Sequence, residues 1–448
     1  MAVSPHSVAA PSCVTGARAE IEEQRTTMDM TPSAVPRRTL SRPVPGRRGH
    51  PEAGKVAPHV VGAIALVVLI VGVGVWTSTR AGDDTATPGT SPTQSGQPSA
   101  STPAVEDCVD TGRVPLIDLG VQAATGDDTK PQLTYEEVGA LVTLAKAAGA
   151  DVISTTASFR ALQPREGGSY RFEGMDRVIS AARDAGLEVR LRLMLMPRWA
   201  LDEPNGTLRQ PPRSDAELAH WAQFVGDVMR HVDGEVAFVE VWNEPNAQKY
   251  WTTGPDPVEF ARLLDTTYDV VKEAAPEATV ISGGLNGNDI GFLEKTYEAM
   301  ETIGLETTPF DQLGVHPFAG AAAPEEIDPG EIYERDPYGL FDANFTGFET
   351  LHDVMADNGD EGLPLYLTAF GYSTQGSRTT PPVDDATRAR YLGEALDIAT
   401  CADYVAGVSW YAFHPTPWDP PAWTLLDARS KPNLTYAALQ EWADSAPE

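Results

Sequence analysis

The feature that most constrains the fold is a regular alternation of short β-like runs with longer amphipathic, helix-like runs from residue 107 onward. Eight strands alternating with helices over about 340 residues predict one (β/α)8 TIM barrel of the α/β class. An open doubly wound sheet would be expected to carry a Gly-rich phosphate-binding turn after an early strand, and the sequence has none. The predicted strands are residues 114–121, 151–156, 188–195, 236–242, 278–284, 310–316, 363–369 and 405–413.

Three segments precede the predicted barrel of residues 107–448. Residues 59–76 form an 18-residue apolar run, just long enough for one transmembrane helix. Arginines before this run place the N-terminus in the cytoplasm and the barrel outside, as a signal-anchor would. Residues 1–58 predict a disordered cytoplasmic tail, and residues 77–106 predict a Ser/Thr/Pro-rich linker. We therefore expect a single-pass protein of the cell membrane, the alternative for the apolar run being a buried core helix.

The charge balance restricts the partners of the chain. It holds 64 acidic and 33 basic residues, a net charge of −31, and most of the acidic residues follow the apolar run. Such a surface repels nucleic acid and other polyanions. It suits neutral or cationic ligands, although solubility alone is the simpler and preferred explanation.

Two of the three cysteines lie in the predicted barrel. Cys108 comes just before the first strand and Cys401 just before the last, so closure of the barrel brings the two chain positions together at one end. Because an exported domain permits disulfides, we predict a Cys108–Cys401 bond. Two unrelated buried thiols are the alternative.

Alternating side chains in two strands predict an ion pair inside the barrel. Arg190 and Arg192 share one face of the third strand, and Glu240 lies on the corresponding face of the fourth. A buried charge needs a partner, so Arg192 and Glu240 are expected to pair. That structural role removes Glu240 from the candidate catalytic residues.

The fourth strand ends in Trp-Asn-Glu-Pro-Asn, residues 242–246. Enzymes with this fold place their chemistry at the C-terminal ends of the strands, which singles out Asn243 and Glu244. The wider stretch, VEVWNEPN, resembles the retaining glycoside hydrolases of clan A, the cellulase, mannanase and xylosidase-like barrels. This similarity extends over most of residues 114–443 and includes VHPF at 315–318, TAFGYST at 368–374 and VSWYAF at 408–413.

The resemblance implies a pair of carboxyl groups flanking a glycosidic bond. Glu244 matches the acid/base, which protonates the departing oxygen and then activates water. Asn243 matches the residue that binds the sugar 2-hydroxyl. The nucleophile of the family ends the seventh strand in a Thr-Glu-Phe-Gly-like sequence, and here that position is Ala369. A methyl group cannot attack an anomeric carbon.

Two further departures from the family surround the vacant position. An Arg late in the second strand usually bonds the nucleophile, and Ser154 takes its place here. A Tyr two residues after the His of the sixth strand usually reaches the nucleophile, and here that His is His316 and the later residue is Phe318. The residues that would hold the carboxylate are thus replaced together with it.

Several aromatic and polar residues of the family's sugar site have counterparts in this chain. Trp410 matches the aromatic floor of the central subsite, on which a sugar ring stacks. Ordinary packing is as good an explanation for each of the others individually. The remaining predicted substrate-binding residues are His316, Trp199 and Tyr372, with His414, Trp418 and Trp423 extending the groove and the long loop 317–345 forming one wall.

Three interpretations of function remain open. The barrel hydrolyses an extracellular or cell-envelope glycan by an altered route, in which Asp118, Asp202, Asp342 or the acidic loop supplies a base for inversion. Otherwise it binds an oligo- or polysaccharide without turnover, or it is a structural surface module. No cofactor or metal is expected, because His-x-x-x-His, Cys-x-x-Cys and phosphate-loop patterns are absent from the sequence. We expect a monomer.

Overall fold

The structure is a computed structural model, which describes residues 114–123, 132–326, 344–377, 381–417 and 419–446. The predicted tail, transmembrane segment and linker, together with Cys108, lie outside these residues. Within the described part, no helix combines the length and the apolar character that a membrane span requires. The membrane topology thus stays a prediction.

The described chain forms a curled parallel sheet surrounded by helices. The strands are β1 (Leu116–Gly120), β2 (Val152–Ser158), β3 (Glu188–Met194), β4 (Phe238–Val241), β5 (Thr279–Ile281), β6 (Leu285–Asn286), β7 (Leu313–His316), β8 (Leu365–Phe370) and β9 (Val405–Trp410). The helices are α1 (Tyr135–Ala147), α2 (Phe159–Leu162), α3 (Glu173–Asp184), α4 (Asp215–Val232), α5 (Pro257–Ala274), α6 (Ile290–Ile303), α7 (Phe348–Asp357), α8 (Asp385–Cys401) and α9 (Leu434–Ser445).

The order of the strands gives the barrel its closure. The hydrogen-bonded order is β5-β4-β3-β2-β1-β9-β8-β7-β6, and every pair is parallel. The first and last strands of this series are consecutive in the chain, and a parallel bridge from Ile281 to Gln312 joins the end of β5 to the start of β7. β5 and β6 therefore act as one interrupted strand, and the ring has the eight positions predicted from the sequence.

The main apolar core lies between the strands and the helices. Leu191 and Leu193 of β3 and Val239 and Val241 of β4 are buried in it, as the alternation of these strands predicts. Two of the outer helices begin with capping boxes, in which the first hydroxyl and a Glu three residues later satisfy free backbone amides. These signals start the helices at the edge of the barrel.

A buried ionic cluster fills the interior of the barrel. Arg190 of β3 pairs with Asp118 of β1 and with Glu240 of β4. Arg192 also binds Glu240, at 2.8 Å, which confirms the predicted pair. The deeper role of Arg190 is not predicted by its sequence pattern: the residue is only 1% exposed and reaches Thr368 O on β8 and Ser409 Oγ on β9, each at 3.3 Å.

The cluster keeps its charges despite burial. Burial alone disfavours the charged guanidinium, but Asp118 and Glu240 outweigh it and raise the pKa of Arg190. Burial likewise favours the neutral form of Glu240, but Arg192 and Arg190 outweigh it and lower the pKa of that carboxyl. The phenol of Tyr366 donates to Asp118 at 3.2 Å and completes the arrangement.

Cys401 ends α8 and is disulfide-bonded. Its predicted partner, Cys108, lies outside the described residues, so the pairing of these two cysteines stays a prediction.

Replacing Arg190 by Met should destabilise the fold strongly, because it leaves two buried carboxylates facing each other without their shared cation. We expect a loss of about 3–5 kcal/mol in the free energy of unfolding, measured by urea denaturation. The matched control is Arg183→Met, since Arg183 pairs with Glu235 on the surface and its side chain is 57% exposed. That change should cost about 1 kcal/mol or less. Equal losses in the two variants would contradict a central role for the cluster.

Candidate active site

The carboxyl ends of the strands open into a cleft of about 1560 Å³. Small-molecule sites commonly measure about 300–1,000 Å³, so this cleft has room for several sugar rings. Five of the residues singled out from the sequence line it together, namely Asn243, Glu244, His316, Ala369 and Trp410. The side chains expected to face one another at the mouth of one barrel thus share one cleft.

Glu244 is held in position by its backbone and by one histidine. Its N–H donates to Gly284 O at 3.0 Å, and its Oε1 lies 3.1 Å from His316 Nδ1. The side chain of Glu244 is 16% exposed, whereas that of His316 is 2% exposed. The carboxyl therefore reaches the cleft from a partly buried position while the imidazole behind it fixes its orientation.

The backbone around Asn243 is strained. Trp242 has φ of 71° and Glu244 has φ of 46°, both in the left-handed region that non-glycine residues avoid. Such conformations cost on the order of 1–3 kcal/mol each and persist where the surroundings enforce them. Trp242 is buried between Trp221 and Trp251, and its Nε1 donates to Tyr250 O at 3.0 Å.

This strained turn directs Asn243 and Glu244 into the cleft. Asn243 is 6% exposed, and its amide makes no side-chain hydrogen bond within the described chain. The amide is therefore available to a ligand hydroxyl.

Ala369, where the family resemblance predicts a nucleophile, follows a residue that lies close to the same histidine. A Cβ built on Gly284 would come within 2.3 Å of His316 Nε2 and 2.4 Å of Thr368 Oγ1, so these two side chains converge on one point. Ala369 follows Thr368 on β8 and is 7% exposed at the surface of the cleft. His316 thus lies between the retained carboxyl of Glu244 and the strand that carries the methyl of Ala369.

Three carboxylates line the described part of the cleft: Glu244, Asp289 and Asp419. Asp289 caps helix α6 through Phe292 N and accepts a bond from Asn246 at 2.8 Å, so it has a structural role. Asp419 accepts a bond from the Thr416 hydroxyl at 2.6 Å. Asp419 was not predicted from the sequence, because it follows the last strand in an irregular loop without a recognisable motif.

The carboxylates suggested from the sequence as alternative bases are not free for that role. Asp118 is fully buried and paired with Arg190, below the floor of the cleft. Asp202 accepts a bond from Ser214 Oγ and is not among the residues that line the cleft. Asp342 lies outside the described residues, as does most of the acidic loop.

Trp410 forms an aromatic wall of the cleft. It ends β9, packs edge-on against Phe370 at 5.2 Å, and donates from Nε1 to Trp423 O at 3.1 Å. His414 and Trp423 line the cleft as predicted, while Trp418 lies outside the described residues. A rigid indole with a satisfied N–H is a suitable platform for the apolar face of a sugar ring.

Two of the predicted substrate contacts are placed away from the cleft. Trp199 packs edge-on against Phe159 and His220, and its Nε1 donates to Gln163 O at 2.9 Å. Tyr372 is 1% exposed and packs behind Trp410, at a ring-centroid distance of 6.4 Å. Neither lines the cleft, so the structure assigns both to the support of its walls.

The two replaced positions of the family pattern do face the cleft. Ser154 on β2 and Phe318 after β7 both line it. Phe318 makes edge-on contacts with Tyr411 and Trp423, at 6.1 and 6.0 Å. The cleft therefore presents a short hydroxyl and an apolar ring at the two positions where the family resemblance predicts an Arg and a Tyr.

The closed parallel barrel and the Asn-Glu pair at the end of β4 define a glycoside-hydrolase-like fold. No protein-family model matches the chain. The chain is 23% identical to a beta-xylosidase of Geobacillus stearothermophilus over 260 residues, which cover 54% of this chain and 48% of that protein. The chain thus spans about half the length of this curated relative.

Solved structures share the fold. A family 39 glycoside hydrolase of Bacteroides cellulosilyticus WH2 has a TM-score of 0.58 and 20% identity, covering 76% of this chain and 66% of that one. An exo-beta-1,4-mannosidase of an Opitutaceae bacterium has a TM-score of 0.51 and 17% identity, covering 75% and 60% of the two chains. The resemblance to the clan A barrels is thereby confirmed.

Gly284→Ala should disturb the site, because the added methyl collides with His316 and Thr368. We expect a loss of about 1–3 kcal/mol in the free energy of unfolding, and changed NMR chemical shifts of the His316 ring as it moves away from Glu244. Gly139→Ala is the control, since nothing lies within 4 Å of its added Cβ on helix α1. This control should be neutral or slightly stabilising. Unchanged chemical shifts of the His316 ring in the Gly284 variant would refute the convergence described above.

Proposed function

We propose that the barrel binds an oligo- or polysaccharide in this cleft without hydrolysing it, with Glu244 at the acid/base position and no nucleophile opposite it. The observation that carries the proposal is that Glu244 and Ala369 line the same cleft. A retaining mechanism needs two carboxyl groups about 5–5.5 Å apart, one of them a nucleophile. The position that would supply it carries a methyl group.

The groups around Glu244 support a saccharide as the ligand. Asn243 offers a free amide at the position expected to contact a sugar hydroxyl, and Trp410 offers an aromatic face. The beta-xylosidase and the mannosidase similar to this chain bear the names of enzymes that act on glycosides. The apolar face and the convergent polar groups are both typical of sugar sites.

A second candidate function is hydrolysis with inversion, and Asp419 is the observation that favours it. Its carboxylate lies in the same cleft as Glu244. Burial together with Asp419 raises the pKa of Tyr411, and Glu244 contributes to the same shift, so both carboxylates lie near one phenol. Inversion needs a base about 6.5–9.5 Å from the acid, with a water between them.

Turnover of aryl glycosides by the purified full-length chain tests both candidates. Under the proposal, native chain binds saccharide without turnover and Ala369→Glu gains retaining hydrolysis, because the variant restores a nucleophile opposite Glu244. Adding Glu244→Gln to that variant should lower its kcat by about a hundredfold or more, through loss of the acid/base. NMR of the released anomer gives the stereochemistry.

Other outcomes decide against the proposal. Native turnover with inversion of the anomer, abolished by Asp419→Asn, establishes the second candidate. If no saccharide of a broad panel binds to the native chain or to Ala369→Glu, the barrel is a structural module at the cell surface.

We further propose that residues 59–76 anchor the chain in the membrane with the barrel outside the cytoplasm. The support is the length and apolar character of this run and the arginines before it. A cleft tethered outside the cell would meet cell-envelope or extracellular glycans.

Membrane extraction of the expressed chain tests this anchoring. The native protein should stay with the membrane in alkaline carbonate, whereas Leu66→Arg with Ile70→Arg should release it, since each central Arg costs about 2.5–3.5 kcal/mol on insertion. The control pair, Leu66→Ala with Ile70→Ala, should remain in the membrane. Protease added outside the cell should reach the barrel, and protection of the barrel would contradict the proposed orientation.

A further inference from the structure

The described lining of the cleft has a different balance of charged side chains from the whole chain. Although the chain has a net charge of −31, the described lining of the cleft holds twice as many cationic as acidic side chains. The acidic ones are Glu244, Asp289 and Asp419. The cationic ones are Arg160, Arg171, Arg190, Arg192, Arg209 and Lys249. The expectation of a neutral or cationic ligand, drawn from the total charge, therefore does not hold for this surface.

The excess charge is concentrated at one side of the rim. Arg190 and Arg192 on the floor are balanced by Asp118 and Glu240 beneath them. Arg160, Arg209 and Lys249 follow β2, β3 and β4 respectively, so they lie in the same sector as Glu244, which also follows β4. These three residues are called the cationic wall below.

Arg160 is the least compensated member of the cationic wall. It is half-buried in the short helix α2, whose backbone is tied to β3 by a bond from Arg160 N to Leu195 O at 2.8 Å. Its guanidinium makes no hydrogen bond or ion pair with the described residues. Burial, with the like charge of Arg209, lowers the pKa of Arg160. A second arginine thus lies near Arg160 where a carboxylate would be expected.

The other two cations share one aromatic ring. The Arg209 guanidinium lies 4.7 Å from the centroid of Tyr250, and Lys249 Nζ lies 4.9 Å from it. The loop of Arg209 is joined to the loop after β4 by a bond of 2.6 Å between the hydroxyls of Thr207 and Thr252. Cation–π contacts orient both charges, but they do not neutralise them.

An anionic group of a ligand would offset the electrostatic repulsion between the cations of this wall. Arg160 and Arg209 are both partly buried, so their like charges repel each other and each loses part of its hydration, whereas Lys249 is exposed. Two arginines present planar forks of N–H donors that match a carboxylate or a phosphate-like oxyanion. Solvated side chains on an outer surface would need no such explanation, but these line a cleft beside Glu244.

We infer that the cationic wall binds an oxyanion, a carboxylate or a sulfate or phosphate ester, on the saccharide unit next to the one at Glu244. The inference rests on the proposed function, because it names the class of saccharide for the same cleft. It makes the ligand an acidic glycan, and it assigns to Arg160 and Arg209 the role of positioning that glycan along the cleft.

Calorimetric titration of the full-length chain with matched pairs of oligosaccharides tests the inference. The pairs are tetragalacturonate with its fully methyl-esterified form, and sulfated with unsulfated cellotetraose. We expect at least one anionic member to bind about tenfold or more tightly than its neutral partner. This preference should shrink between about 50 and 500 mM NaCl. The pair that shows the preference distinguishes a carboxylate from a sulfate.

Variants locate the effect in the cleft. Arg160→Gln and Arg209→Gln should each remove most of the preference, while the affinity for the neutral partner changes by about twofold or less. The control is Arg165→Gln, an exposed arginine of the same stretch that does not line the cleft, and it should keep the preference. Loss of preference in the control would assign the effect to the general surface and overturn the inference.

A measurement without ligand adds an independent criterion. Arg160→Met removes one of two neighbouring like charges, so the thermal midpoint of the ligand-free chain should stay equal or rise. A clear fall would make Arg160 a structural residue and contradict the inference. Equal binding of neutral and anionic members would overturn it while the proposed function stands, whereas no binding to any saccharide overturns both.

Discussion

The site depends on one buried guanidinium. Arg190 reaches from β3 to β1 and β4 through carboxylates, and to β8 and β9 through Thr368 O and Ser409 Oγ. A single side chain therefore links five of the strands at the level just beneath the cleft. Because unpaired buried charges are costly, the positions of these strands cannot shift independently of one another. This electrostatic constraint, together with apolar packing, fixes the strand positions beneath the cleft that Glu244 and Ala369 line.

A few contacts likewise hold Asn243 and Glu244 in place at the end of β4. The strained turn at Trp242 and Glu244 is maintained by a buried indole and by the backbone of Gly284. Gly284 in turn leaves room for His316, which orients Glu244, and for Thr368 of the strand that carries Ala369. Relaxing the strained turn would stabilise the fold. Its presence is therefore more consistent with a binding site that requires this geometry than with a purely structural barrel.

The sequence predicted the elements that follow local rules. Eight strand positions, the parity of β3 and β4, and the pairing of Arg192 with Glu240 were all readable from alternation and from the need to compensate a buried charge. The interruption between β5 and β6 was not readable, because it arises from close backbone contacts around the Ser282–Gly284 segment. Trp199 was misplaced since an aromatic residue after a strand can pack against a helix as readily as it can face the cleft.

The charge balance of the described cleft lining differs from the net charge of the chain, and the reason is physical. Total charge is set by many solvated side chains. Salt largely screens each of them from a ligand that lies more than about 10 Å away. A ligand inside a cleft responds instead to the few charges that share its low-dielectric surroundings. The acidic exterior and the cationic wall are therefore compatible: the first governs solubility and excludes polyanions from most of the surface. The second leaves one region where an acidic glycan meets uncompensated arginines, so the same chain can repel anions generally and select one of them locally.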